Sequence, residues 1–134
     1  MSLNMPYKKY IENSILTSNP EELTLMLYNG LIKFITQAQL AIEEQDMEKA
    51  HNCIIRAKKI LFTFENTLDM KYEVSKDILP IYEYMCKRLT DANVKKDKNI
   101  LTEILYFAKE LRDTWSEVMR IAGHQGRVPQ KDRG

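Results

Sequence analysis

The sequence predicts an all-α protein, an antiparallel up-down four-helix bundle with a short extra N-terminal helix. Four long segments repeat apolar residues at the 3.6-residue period of a helix, and none sustains the alternation of a strand. Glycine and proline number four each, too few for a turn-rich β fold. The connections between the long segments are short, which makes successive helices antiparallel neighbours. With 134 residues, 44% of them apolar, the chain suits one domain with a real core.

The first segment, about 7–16, carries Tyr7, Tyr10, Ile11, Ile15 and Leu16 and is the short extra helix; residues 1–16 form an N-terminal cap segment. The second opens with TSNPEELTLMLYNG, residues 17–30, and runs to about 44. Asn19 suits the N-cap, Pro20 the first helical position, and Glu21 and Glu22 the positive helix end. Glu22 stands three after Asn19, as in a capping box. The third segment, about 47–70, has Asp46 to cap it. The fourth, about 76–94, has Ser75 as its expected cap and Asp77 in its first turn. Pro80 lies about five residues in, where it removes one backbone bond and kinks the helix or delays its regular start. The fifth, about 98–122, starts at a cap on Asp97 and ends at Gly123, a natural C′ residue. Residues 124–134 are polar and read as a mobile tail.

The second segment carries more apolar surface than one core face needs. At about 100° per residue, Leu23, Leu27, Leu31, Phe34, Ala38, Ala41 and Ile42 fill an arc of about 100°, and Leu25, Tyr28, Ile32 and Ile35 widen it to about 200°. In the third segment Ala50, Cys53, Ile54, Ala57, Ile60, Leu61, Phe64 and Leu68 share a face, while Ile55 and Phe62 stand outside it, one above the other. Two readings fit. The second segment is the central, most buried helix; or Leu25, Tyr28, Ile32, Ile55 and Phe62 line a second groove that takes an apolar segment from a partner. The readings coexist if segment one covers the groove until a partner arrives, with the TSN joint as hinge. In the fourth segment Ile78, Tyr82, Met85, Cys86 and Leu89 follow the core face, and Tyr84 points elsewhere as an exposed or interface tyrosine. In the fifth, Trp115 joins Ile104, Leu111, Val118 and Ala122 on one face as a core anchor.

Composition and motifs exclude much chemistry. The net charge of +1 gives no global field for nucleic acid or an anionic membrane. The paired cations at Lys8-Lys9, Lys58-Lys59, Lys87-Arg88 and Lys95-Lys96 read as solvated helix faces, without the continuous stripe of a nucleic-acid binder. No window reaches the roughly 18 apolar residues of a membrane span, and the N-terminus lacks a signal-peptide apolar core. Cys53 and Cys86 fall in apolar helical patterns and read as buried free thiols, which points to the cytoplasm. No GxSxG, phosphate-cradling glycine loop or CxxC pair is present. The one metal-like fragment, Glu48-Lys49-Ala50-His51, lacks the second motif and inward glutamates of a di-iron bundle. His51 reads as half-exposed beside the core face. No catalytic residue, cofactor or metal is expected.

Three ordered motifs carry a family resemblance over about 7–118. TSNPEELTLMLYNG resembles the (T/S)xSPxxLxxMLYDG opening of the first long helix in the flagellar secretion chaperone FliS family. IYEYMCKRLTDANVKKD, residues 81–97, is similar to its LYDYMxRRLxxANxxxD, and ELRDTWSEV, residues 110–118, to its last helix. AIEEQDMEKAHNCIIRAKKIL also fits the family's spacing. Two departures stand out: Leu68-Asp69 is not followed by the family's glycine pair, and Asn29 replaces an aspartate. The resemblance implies a cytoplasmic, ATP-independent export chaperone that wraps the disordered C-terminal region of flagellin around its bundle. It would block premature polymerisation and hold the subunit for the type III export gate. It implies contact with the gate component FlhA as the chaperone–flagellin complex, and a link to the assembly factor FliW. It places Tyr7, Tyr10 and Ile11 as a lid over the groove. Leu25, Tyr28, Ile32, Ile55 and Phe62, with Tyr84 as a lesser candidate, are the expected partner-binding residues. The rival reading is a helical adaptor or regulatory bundle that uses the same surface to dimerise or to bind another helix. A metal-dependent bundle enzyme is the third.

Overall fold

Apolar residues three and four apart can all be buried only if each helix lays its stripe against others. A computed structural model describes residues 20–133, with side chains described for residues 21–122. The secondary structure is four α-helices and, among the described residues, no strand. They are α1 (Pro20–Glu43), α2 (Met47–Thr67), α3 (Glu73–Lys95) and α4 (Lys98–Arg133). α1 packs on α2 and α4, α2 on α3, and α3 on α4, so each helix meets two others. Segment one, Asn19 and the TSN joint lie outside the described residues.

The core draws evenly on the four helices. Leu31 and Ile35 of α1, Ile54 and Leu61 of α2, Met85 and Leu89 of α3, and Leu101 and Ile104 of α4 are fully buried. Each such side chain contributes about 1.5–3 kcal/mol of apolar burial. Alanines 38, 41, 50, 57, 92 and 108 are also without exposure and let the helices approach closely. Gly30 serves the same end, since a Cβ there would stand 3.2 Å from Cδ1 of Ile60 on α2.

The helix ends follow local chemistry. The expected cap on Asp46 is present: its carboxylate accepts the Lys49 amide at 3.1 Å. Asp97 Oδ1 likewise accepts the Asn99 amide at 2.8 Å at the start of α4. α1 and α3 finish on non-glycine residues in the left-handed region, Gln45 at φ 61° and Lys96 at φ 51°. The Lys96 amide donates to the Ala92 carbonyl there.

Two expected ends are corrected. Ser75 does not cap α3, which begins at Glu73 after an uncapped Tyr72. Asp69 organises this turn. Its Oδ1 accepts the Lys71 amide at 3.0 Å, and its carbonyl accepts the buried Ser75 hydroxyl at 2.6 Å. Ser75 is thus spent on closing the loop. At the other end, α4 does not stop at Gly123 but continues to Arg133. Pro80 lies inside α3 without preventing the helix from starting at Glu73.

Candidate functional site

On α2, Ile55, Lys58, Lys59 and Phe62 recur at the three- and four-residue steps that put side chains on one face. That face lies outside the buried stripe of Ala50, Cys53, Ile54, Ala57, Leu61 and Phe64. With Cys86, Lys87 and Thr90 of α3 it borders an open cavity of about 400 Å³. Phe62 is 61% exposed and Ile55 half-buried, so the two form an apolar patch at the cavity rather than a lone exposed side chain. The floor is apolar, and the rim carries three lysine ammoniums.

The charges along this groove are unevenly placed. Lys58, Lys59 and Lys87 stand at the cavity, whereas Glu65 lies further along α2 and faces Glu83 of α3. Burial, then repulsion from Glu83, pushes the Glu65 carboxyl up from its ordinary value. Burial also pushes the Cys86 thiol up, with Glu65 adding to the shift and Lys58 opposing it. Cys86 is therefore a protonated, half-buried thiol between the two charge clusters, rather than the fully buried residue expected. Cys53 is buried as expected, and both thiols are free.

The remaining expected site residues do not gather here. Tyr28 is 5% exposed and belongs to the core, which corrects its assignment to a groove surface. Its ring centroid lies 4.5 Å from that of Phe64, which in turn stacks on Tyr82 at 5.3 Å. The Tyr28 and Tyr82 hydroxyls share a hydrogen bond of 2.6 Å. Burial holds both phenols above their ordinary pKa. Ile35, counted in the surplus arc, is likewise fully buried. Leu25 and Ile32 are half-buried and share a row with Gln39, seven residues apart. Gln39 donates to Thr102 of α4 at 2.9 Å, so this row faces α4, away from Phe62.

Tyr84 marks a third face. It is 42% exposed, meets the Phe107 ring edge-on at 6.1 Å and donates to Glu103 Oε2 at 2.7 Å. That hydrogen bond, with Arg88 at 3.1 Å, holds the Glu103 carboxylate below its ordinary pKa. Exposed Tyr106 packs edge-on against the same Phe107, a neighbour the sequence reading missed. Tyr7, Tyr10 and Ile11 lie outside the described residues.

His51 is exposed, and its Nδ1 shares a 2.9 Å hydrogen bond with the Asn93 amide. Among the described residues no three His, Cys, Asp or Glu side chains gather as for a metal ion. No helix there is long and apolar enough to cross a membrane. Trp115 is half-buried against the core, and Val118 and Ala122, expected beside it, are exposed. The lysines read as solvated faces are indeed exposed at Lys59 and Lys87 and half-buried at Lys58, but their place beside an apolar cavity was not foreseen. The steps from Ile55 through Lys58 and Lys59 to Phe62 are the signal that groups them.

Comparison with known proteins bears on what this surface is for. The family model described as "Flagellar protein FliS" matches residues 3–122. A flagellar secretion chaperone FliS of Bacillus subtilis (strain 168) is 40% identical over 120 residues, covering 90% of each chain. One from Campylobacter jejuni is 29% identical over 88% of this chain and 94% of its own. One from Salmonella typhimurium is 23% identical over 86% and 87%.

Proposed function

The chain belongs to the flagellar protein FliS family, and from that premise we propose that it is a flagellar secretion chaperone for the C-terminal region of flagellin. The observation that carries the cargo assignment is the exposed Phe62 beside Ile55 on the α2–α3 groove, an apolar surface outside a core that is already complete. A disordered cargo segment that folds on binding gains this apolar contact and spends part of it on its own ordering. Capture of that segment prevents premature polymerisation, and the complex passes to the export gate. FlhA is its receptor there, and FliW a further assembly partner. The work is done in the cytoplasm and without catalysis; a chaperone is not an enzyme class.

The same reading extends to the architecture. His51 meets Asn93 near one end of α2, and Phe64 meets Tyr82 near the other. Such pairings support an antiparallel up-down order, with residues 1–16 as a lid bearing Tyr7, Tyr10 and Ile11. Leu25 and Ile32, on the row facing α4, would be a separate contact for a cargo that wraps the bundle beyond the groove.

A pull-down with the C-terminal segment of flagellin tests this. The unmodified chain is expected to retain the segment, and Phe62→Asp to weaken retention by at least about tenfold while helix content stays unchanged. Failure of the folded, unmodified chain to bind at micromolar concentration overturns the cargo assignment.

A further inference from the structure

The α2–α3 groove is apolar along its floor, but its charges are sorted. Lys58, Lys59 and Lys87 rim the cavity, and no ion-pair partner within 4.0 Å is found for them among the described residues. Some surface cations are paired, among them Lys76 with Glu73, Arg88 with Asp91 and Glu103, Lys98 with Glu43, Arg112 with Asp113 and Arg120 with Glu117, while Lys49, Arg56, Lys71, Lys95, Lys96 and Lys109 resemble the groove lysines in having no ion pair; what sets Lys58, Lys59 and Lys87 apart is their place together beside an apolar cavity. Beyond Phe62 on α2 comes Glu65, whose carboxyl is raised by burial and then by the Glu83 carboxylate of α3. Cations crowd one end of the groove and carboxylates the other.

We propose that the α2–α3 groove takes an amphipathic helix that carries carboxylates at one end of its apolar face, seated with that end against Lys58, Lys59 and Lys87. The occupant is a peptide segment of the secreted cargo, so the inference rests on the chaperone reading and adds a charge rule to it. Two features recommend such a ligand. Its apolar face covers Phe62 and Ile55, and its acidic end supplies the counter-charge the lysines lack. Helices tolerate acidic residues best in their first turn, which favours an N-terminal acidic end. Glu65 and Glu83 set the far limit, because an acidic residue there adds a third like charge. Lysines rather than apolar contacts then decide which segment of the cargo occupies this groove and in which direction it runs.

The probe is a pair of short synthetic helical peptides with one apolar face in common. One has glutamates in its first turn, the other glutamines. Binding to the full chain is read by titration and by protection of the half-buried Cys86 thiol from a thiol reagent, since Cys86 lines the groove and Cys53 is buried. The glutamate peptide is expected to bind about tenfold more tightly, the combined scale of three weak surface ion pairs. High salt should remove the difference. Lys58→Glu/Lys87→Glu should bring the glutamate peptide to or below the glutamine one. Equal binding of the two peptides, a difference that survives high salt, or binding that leaves Cys86 labelling unchanged overturns the proposal. The salt comparison uses the unmodified chain, so a variant that fails to fold does not remove the test. If the flagellin segment fails to bind while the peptides obey the charge rule, the cargo assignment falls and the groove's selectivity stands; the converse result sinks the selectivity alone.

Discussion

Among the described residues, the Tyr28–Tyr82 pair joins two buried hydroxyls across the core. Both rings are buried, and their 2.6 Å hydrogen bond satisfies two hydroxyls that have no water to turn to. Removing one partner orphans the other. Tyr28→Phe is expected to cost about 1–3 kcal/mol in urea unfolding, and Tyr28→Phe/Tyr82→Phe less than the sum of the single changes. Strict additivity would show that the bond carries no coupling. The pair also sets an alkaline limit. Both phenols are raised in the folded state, so the unfolded chain loses its protons first. Their contribution is full below the ordinary tyrosine pKa of about 10 and is lost as pH climbs past it, and the double variant should show a flatter alkaline profile. The helical wheel could not foresee this role. A wheel gives an angle, and Tyr28 reaches Phe64 and Tyr82 at once, on two different helices.

At the scale of elements, the sequence reading succeeded where one residue's chemistry decides the outcome. Asp46 and Asp97 were legible as caps because a short acceptor before an apolar run has few other uses. It failed where the deciding partner is a loop atom. Ser75 looks like a cap until its hydroxyl is found on the Asp69 carbonyl, a contact that depends on how the turn closes. Gly30 was legible only as the end of a motif; its use is to let α1 approach Ile60. Gly30→Leu is expected to force α1 and α2 apart at a cost of about 1–3 kcal/mol, seen as a lower urea midpoint. An unchanged midpoint would mean that Ile60 yields freely. Nothing local in the sequence separated the α2–α3 groove from the α4-facing row of Leu25 and Ile32, because that division depends on which helices are neighbours.

At the scale of the whole molecule, the core and the proposed binding surface lie on the same helix, one residue apart. Leu61 has no exposure and Phe62 is 61% exposed. Leu61→Ala is therefore expected to cost about 2–5 kcal/mol, and Phe62→Ala to stay within about 0.5 kcal/mol of the unmodified chain. Comparable losses for both, in the same unfolding experiment, would place Phe62 inside the cooperative core. Stability and recognition can then change separately along this helix.

The single tryptophan of the sequence donates its indole N–H to the Glu21 carbonyl at 3.0 Å, tying α4 to the first turn of α1. The molecule thus contains a built-in optical reporter at the start of α1. Its emission answers to rearrangement at the α1–α4 contact, whereas Phe62 stands on the α2–α3 face. A fluorescence change on adding cargo would mean that the α1–α4 contact has moved, while a silent titration would confine the event to the α2–α3 face.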